Sequence, residues 1–318
     1  MDYSIFFKSD VPIDEPIIGN WDLFISAYVP NERVCKVFDL VSAKEKHWLV
    51  FPEYELENAA PTGGKVFTYK STDEADFINK YEEQVACKFD EIELCIDITG
   101  FIHPHLMYLL RLLHERKVKK FDVIYSEPGW YKQSEKTKFS NESVRVVKQV
   151  LGYEGQLTTD TSNDLLIIGA GYDDMLISRV AENKSTARKI QIFGFPPLQP
   201  DMYQENIIRA SRASEAVGQP IGMEDNNHFA PAGDPFITAN VLSSIVRAEG
   251  EKKRITNLYL SPLSTKVQTL GFCLFFLWEC VGTHASILYP YCNNYPHETS
   301  VGISRIKKFT VVLPDSTK

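Results

Sequence analysis

Short apolar runs alternate along this chain with segments in which apolar residues recur at helical spacing. Three of the apolar runs in the first half are Trp21 to Val29, His47 to Glu53 and Ile92 to Gly100. Between the first two lies Glu32 to Ser42, whose three valines and Phe38 share one helical face. Strands and helices that alternate in this way predict parallel sheets covered by helices, which is the α/β class.

The same alternation restarts in the second half of the chain. Apolar residues thin out over residues 152 to 163, and strand-like runs then return at DLLIIGAGY, KIQIFGFPP, ITNLYLSPL and ASILYPYC. The pattern predicts two Rossmann-like three-layer halves with mostly parallel sheets flanked by helices. We place the N-terminal half at residues 1–152 and the C-terminal half at residues 163–318, which includes a last strand near Arg305 to Val312. Residues 129–143 and 224–232 are expected to form a loop and a turn.

The composition is that of a globular protein with an excess of acidic residues. Hydrophobic residues make up 44%, and 42 Asp and Glu outnumber 34 Lys and Arg, so the formal charge is −8. This charge argues against direct nucleic-acid binding, which needs a basic surface. The most apolar stretch, Leu270 to Val281, is too short to cross a bilayer and contains Glu279, so no membrane association is expected.

The cysteines indicate the compartment. The six cysteines form no CxxC pair, and most of them lie among apolar residues, which is typical of buried free thiols in a reducing environment. The N-terminus lacks a basic segment followed by an apolar stretch and a cleavage site. The sequence therefore predicts a cytoplasmic protein.

Four loops follow predicted strands and precede predicted helices, where parallel α/β sheets place their ligands. They span residues 97–105, 169–174, 230–234 and 261–266. The candidate ligand-binding residues in these loops are Thr99, Gly100, His103, Gly169, Gly171, Tyr172, Ser264, Thr265 and Lys266. Two of their aromatic residues, Phe101 and Tyr172, are candidates to stack on a base; the alternative is that they pack on neighbouring helices.

The last loop suits a phosphate group, because Ser264, Thr265 and Lys266 place two hydroxyls and an ammonium at a helix N-terminus. The alternative is structural: the hydroxyls cap the helix, and Gly169 and Gly171 make a tight turn. Neither a GxxxxGK[ST] motif nor a complete dinucleotide-binding fingerprint is present in the sequence.

Catalytic residues are less well indicated than binding residues. The sequence has no GxSxG motif and no Cys/His signature. Carboxylates are plentiful, and we take Asp97, Asp173 and Asp234 as candidates because each lies at the end of a strand or the start of a helix. Asp97 has a helix cap as its alternative role. His103 and His105 alone are too few to hold a metal, so none is expected.

Two segments resemble a known family. DITGFIHPHLMYLL (97–110) and SPLSTKVQTLGF (261–272) resemble the D-x-T-G-G-T-K and P-x-G-T-K segments of CARF-type Rossmann-like domains, which sense cyclic oligonucleotides in bacterial antiviral systems. Phe101 and His103 stand where those domains have glycine and lysine, and Ser264 stands for a further glycine. DLFISAY (22–28) resembles the opening strand of TIR-type flavodoxin-like domains, although no catalytic glutamate of that family is placed. The whole chain also resembles bacterial proteins encoded near defence genes.

Three functions are consistent with these observations. The first, which we favour, is a sensor or accessory subunit of a bacterial antiviral defence system that binds a nucleotide-like phosphorylated ligand, such as a nucleotide or cyclic oligonucleotide, at the strand-end loops. The second is an enzyme that hydrolyses a nucleotide or its glycosidic bond. The third is a structural subunit of a larger complex or homo-oligomer, with the aromatic segment 128–131 as a docking surface.

Overall fold

The structure is a computed structural model that describes residues 1–3, 6–56, 61–131, 144–200, 202–218, 226–296 and 300–315. The chain divides into two units. The first unit consists of Phe6–Thr137 and Asn294–Lys318, and the second consists of Met1–Ile5 and Lys138–Asn293. Among the described residues, no helix combines the length and the apolar character needed to span a membrane.

The first unit is built around a seven-stranded sheet. Its strands are β1 (Phe7–Val11), β2 (Ile17–Ala27), β3 (Val41–Val50), β4 (Lys65–Thr68), β5 (Leu94–Asp97), β6 (Lys120–Tyr131) and β13 (Ser300–Val312). Its helices are α1 (Glu32–Leu40), α2 (Glu74–Gln84) and α3 (His103–Glu115). Asn31 and Asp73 begin α1 and α2, because their side chains accept backbone N–H groups of the first turn.

The second unit contains a six-stranded sheet. Its strands are β7 (Val146–Gln149), β8 (Leu165–Ala170), β9 (Arg188–Gly194), β10 (Asn227–Ala230), β11 (Leu258–Pro262) and β12 (Ala285–Tyr291). Its helices are α4 (Asp174–Asn183), α5 (Met202–Arg212), α6 (Ser214–Val217), α7 (Pro235–Lys252) and α8 (Lys266–Phe275). Helix α8, which the sequence predicts to be buried because it is apolar on nearly every face, has nine buried residues.

The two sheets share one topology. In chain order, the five parallel strands of the first sheet are β2 to β6, and they lie side by side as β4-β3-β2-β5-β6. The five parallel strands of the second sheet are β8 to β12, and they lie as β10-β9-β8-β11-β12. Both arrangements are the order 3-2-1-4-5 of a Rossmann fold, in which the strand order reverses between the first and fourth strands. The expected pair of mostly parallel Rossmann-like sheets flanked by helices is therefore confirmed.

The chain segments assigned to each half differ from the predicted division at residues 152 and 163. Strand β13, expected in the C-terminal half, pairs antiparallel with β6 in the first sheet. Strand β7, expected before the boundary, pairs antiparallel with β12 in the second sheet. Each antiparallel strand lies next to the fifth parallel strand of its sheet. Periodicity therefore predicted the strands but could not assign them to a sheet.

Two edge strands were not predicted. Among the described residues, strand β1 pairs with β13 alone, and β10, which lies in the expected turn at 224–232, pairs with β9 alone. Edge strands are partly solvated, so their sequences, FKSDV and NHFA, lack a strong apolar run. Most of the expected loop at 129–143 lies outside the described residues, as do Glu224 and Asp225, whereas Gly129–Tyr131 belong to β6.

Candidate functional site

Three of the four predicted loops lie together at the carboxyl edge of the second sheet. They follow β8, β10 and β11, which are parallel, so all three loops leave the sheet on the same side. The Leu263 amide donates to the Gly169 carbonyl (3.0 Å), and the Thr265 hydroxyl donates to the Ala232 carbonyl (2.6 Å). These contacts join the loops at 169–174, 231–234 and 263–266 into one surface, which we call the ligand edge. The fourth loop belongs to the first unit.

Helix α8 begins at the ligand edge. Thr265 is its N-cap: its hydroxyl accepts the Gln268 amide (3.1 Å) while donating to Ala232. The hydroxyl of Thr265 is thus engaged in the fold, as the capping alternative predicts. Ser264 and Lys266, on either side of it, are both partly exposed. A partly exposed lysine at a helix N-terminus favours an anionic group.

The glycines of the second loop bring backbone against backbone. A Cβ on Gly171 would overlap the carbonyl oxygen of Leu263, so only glycine allows the β8 and β11 loops to approach this closely. Gly169 lies in β8 against the ring of Phe272, at 3.1 Å from the position of a Cβ. The space beside Gly171 is therefore filled by the chain itself.

Helix α5 holds the loop after β8 in place. The Tyr172 hydroxyl donates to the Met202 carbonyl (2.6 Å), and the guanidinium of Arg209 lies 5.3 Å from the centre of the Tyr172 ring. Arg209 also donates to the Tyr172 carbonyl (2.6 Å) and to Glu205 (2.7 Å). Tyr172, expected to stack on a base, is packed by these contacts against the protein.

Asp173 and Asp234 are helix caps. Asp173 accepts the amides of Met175 and Leu176 at the start of α4, at 3.2 and 3.3 Å. Asp234 accepts the amides of Phe236 and Ile237 at the start of α7, both at 3.0 Å. Both carboxylates are buried. These contacts account for an aspartate at each position without any role in chemistry.

Two buried amide side chains at the ligand edge have an oxygen with no donor among the described residues. Gln268, 1% exposed, donates to the Ala230 carbonyl (3.2 Å), and its Oε1 faces Gly194 at the end of β9. Asn206 donates to the Ala170 carbonyl (3.2 Å), and its Oδ1 is the second such oxygen. Buried acceptors without a donor are uncommon because each costs about 1–3 kcal/mol. Sequence reasoning did not select either residue, since the signal is one of geometry.

The remaining predicted loop leaves β5 in the first unit, where Asp97 is buried in a polar network. Its carboxylate accepts the Ser26 hydroxyl (3.0 Å) and the Thr99 amide (2.9 Å). The Thr99 hydroxyl contacts Ser126 (3.2 Å), and Arg33 donates to the Ser126 carbonyl (2.7 Å). Burial raises the pKa of Asp97, and the hydrogen bonds from Thr99 and Ser26 and the charge of Arg33 partly oppose that shift. Asp97 therefore does not cap a helix; its carboxylate belongs to this network.

Two further residues of this loop, Gly100 and Phe101, pack against the protein where the strand order reverses. A Cβ on Gly100 would overlap the carbonyl oxygen of Ala27 at the end of β2. Phe101 is fully buried with its ring 5.6 Å from that of Phe51, so the expectation that it stacks on a base is wrong. His103 is the first residue of α3 and is partly exposed.

A buried acid–base pair lies near this loop. His105 Nε2 is 2.6 Å from Glu53 Oε1, and the ring of Phe51 stacks on the imidazole at 4.2 Å. Within the described part of the chain, the second oxygen of Glu53 and Nδ1 of His105 have no hydrogen-bond partner. Glu53 and His105 are 52 positions apart in the sequence, so nothing in it indicates that they meet.

The structure also locates the segment expected to dock a partner. Trp130 lies on β6, opposite Val301 of β13, and is 66% exposed. Among the described residues, no three or more His, Cys, Asp or Glu side chains are placed to hold a metal ion. Comparison with protein-family models, with curated proteins and with solved structures finds no match to this chain.

Proposed function

We propose that this chain is a sensor or accessory subunit that binds a nucleotide-like phosphorylated ligand at the ligand edge of the second unit. The observation that carries the proposal is the contact between the loops after β8, β10 and β11 at the N-terminus of α8. Their position at the carboxyl ends of parallel strands is where doubly wound sheets bind ligands.

The chemistry of the ligand edge supports a phosphate group. The first-turn N–H groups of α8 and the helix dipole favour an anion, and Lys266 adds a positive charge. The Gln268 oxygen, for which the described residues supply no donor, suits a hydroxyl or amino group of the same ligand. A nucleotide carries all of these groups.

The side chains at the ligand edge favour binding over chemistry. Asp173 and Asp234 hold helix N-termini, and the Thr265 hydroxyl is engaged twice. The resemblance of residues 261–272 to CARF-type segments supports a cyclic oligonucleotide as the ligand and bacterial antiviral defence as the setting. Thr265 and Lys266 match the pattern of that family.

Calorimetry tests this proposal. The purified protein is titrated with the four ribonucleoside 5′-monophosphates, ATP, NAD and cyclic tri- and tetra-adenylate. We expect at least one of them to bind, and Lys266→Ala to weaken that binding about tenfold or more, because a charge-assisted hydrogen bond contributes about 1.5–3 kcal/mol. Lys80→Ala removes a lysine of helix α2 in the first unit and is the control. Silence across the panel, or equal losses in both variants, would contradict the proposal.

A second candidate function, an enzyme acting on a nucleotide or its glycosidic bond, is favoured by the Glu53–His105 pair. A carboxylate that orients an imidazole is an arrangement used for proton transfer. The test is incubation with NAD and nucleoside triphosphates, followed by chromatography of the products. Turnover that is lost in His105→Asn or Asp97→Asn, with folding unchanged by circular dichroism, would support the enzyme; tight binding without turnover would support the sensor.

A further inference from the structure

Three aromatic side chains form an exposed cluster beside the ligand edge. Phe195 follows β9, Tyr203 lies on α5 and Phe229 lies on the edge strand β10. Their ring centres are 4.9 to 6.3 Å apart, with the rings tilted against one another. Phe195 is 51% and Phe229 47% exposed. We call these three residues the aromatic cluster.

The backbone connects the aromatic cluster directly to the ligand edge. The Phe195 amide donates to the Ala230 carbonyl (2.8 Å), and the Ala232 amide donates to the Pro196 carbonyl (3.0 Å). The carbonyl of Ala232 in turn accepts a hydrogen bond from the hydroxyl of Thr265, the N-cap of α8. Two hydrogen bonds thus separate the loop that carries Phe195 from the helix terminus at which the proposed phosphate group binds.

A planar, uncharged group is the chemistry that fits these rings. About half of the surface of Phe195 and Phe229 faces solvent, and together with Tyr203 they form an apolar face larger than a single exposed ring. Bases stack on such rings with about 1–3 kcal/mol each, independently of their sequence. The buried Gln268 oxygen, which receives no hydrogen bond from any described residue, lies beside Gly194, next in sequence to Phe195. An apolar face, an acceptor and an anion-favouring terminus therefore adjoin one another.

We infer that the aromatic cluster is the base-binding face of the nucleotide site, an inference that rests on the proposed function. The phosphate group lies at the N-terminus of α8, and the base lies against Phe195 and Phe229. The rings that sequence reasoning assigned to stacking, Phe101 and Tyr172, are replaced in this role by residues on β10, α5 and the end of β9.

The experiment compares ligands with and without a base. Affinities for AMP, cyclic tetra-adenylate and ribose 5-phosphate are measured by calorimetry on the full chain. We expect the adenine ligands to bind at least about tenfold more tightly than ribose 5-phosphate. Phe195→Ala and Phe229→Ala should each weaken adenine binding about 5-fold to 100-fold and leave the affinity for ribose 5-phosphate unchanged. Phe229→Tyr keeps an aromatic ring and should bind the adenine ligands as wild type does.

The controls separate this inference from the proposed function. Phe7→Ala removes a phenylalanine that is similarly exposed on β1 of the first unit, and it should change nothing. Equal affinity for AMP and ribose 5-phosphate, or adenine binding unaffected by Phe195→Ala and Phe229→Ala, overturns the inference but leaves the proposed function standing. If these three ligands and every nucleotide of the wider panel fail to bind, both are overturned. Loss of self-association in Phe229→Ala with adenine binding intact, seen by sedimentation, would instead assign the cluster to a second copy of the chain.

Discussion

At the carboxyl edges of both sheets, glycines occupy positions where two backbone segments come into close contact. Gly100 follows the fourth parallel strand of its sheet and Gly171 follows the first, and each meets the other of these two strands where the strand order reverses. In both cases a carbonyl oxygen stands where a Cβ would be. The first and fourth parallel strands of each sheet are therefore joined by direct backbone contact at their carboxyl ends.

Replacing Gly171 with alanine should destabilise the second unit, because the new methyl group would overlap a backbone oxygen rather than the end of a flexible side chain. We expect a loss of at least about 1–3 kcal/mol in the free energy of unfolding, measured in urea. Gly250 is the matched control: it is an exposed position in α7 with nothing within 4 Å of a Cβ. Gly250→Ala should stabilise by about 0.5–1 kcal/mol. Equal effects of the two substitutions would contradict this account.

The capping assignment of Asp173 and Asp234 predicts a loss of stability without a loss of function. Alanine at either position should cost about 1 kcal/mol of unfolding free energy, and serine, which also caps, should restore most of it. Nucleotide affinity should remain within about twofold of wild type once the fold is stable. A variant with unchanged stability but abolished binding or turnover would contradict the capping assignment and indicate that these aspartates act on the ligand.

The raised pKa of Asp97 predicts a pH dependence of stability with a defined sign. Because folding favours the protonated carboxyl, wild type should lose stability as the pH rises from the ordinary aspartate value of 3.8 through the higher pKa of the folded state. Asp97→Asn does not titrate. Its unfolding free energy relative to wild type should therefore increase over this interval and become constant above it. Urea unfolding at a series of pH values measures the difference, and a flat difference would contradict the assignment.

The elements show what a pattern of apolar residues can and cannot predict. Helix α8 and the central strands were predictable, because burial on both faces leaves long apolar runs such as LLIIGA. Strand β10 was not, because Asn227 and His228 are partly exposed on a sheet edge. The loops at 169–174, 231–234 and 263–266 could be expected to lie on one edge, since parallel strands end together. The positions of Gln268, Asn206 and the aromatic cluster could not be predicted from the sequence, because they depend on which side chains from distant segments meet.

The chain should need β13 to remain soluble, because β13 covers one edge of β6. The two strands pair from Lys120–Val312 to Tyr131–Ser300, so a chain that ends at Asn293 leaves a long edge of β6 open to other molecules. We expect this shortened chain to aggregate or self-associate, as observed by size-exclusion chromatography. A Val312→Ala variant of the full chain is the control, since Val312 is exposed at the end of β13, and it should behave as wild type.

The molecule contains two sheets of the same topology, and each sheet takes one antiparallel strand from the chain segment that follows the other sheet. We call this arrangement the exchange. Strand β7, which follows the first sheet, completes the second, and β13, which follows the second, completes the first. A cut near residue 152 would therefore separate neither unit cleanly. Joining residues 6–131 to residues 300–315 through a short linker should give a chain that folds alone, because it contains every strand of the first sheet.

Thermal unfolding followed by circular dichroism tests that joined chain. We expect a single cooperative transition, as single domains of this size usually show. The matched control is residues 6–152, which start at the same residue and end at the predicted boundary; they lack β13 and should show no cooperative transition. Cooperative unfolding of residues 6–152 alone would show that β13 is dispensable and would contradict the exchange as a requirement for folding.

The exchange has a consequence for how the protein is made. A ribosome synthesises the chain at about 5–20 residues per second, and domains usually fold as they emerge. The first unit is an exception to that order, because the strand that covers β6 is translated only after the whole second unit. Nascent chains must hold an uncovered β6 for the time needed to add some 180 residues, which follows from the positions of Tyr131 and Val312. During translation, the first unit should therefore depend on chaperones more than the second, although most of the first unit is synthesised earlier.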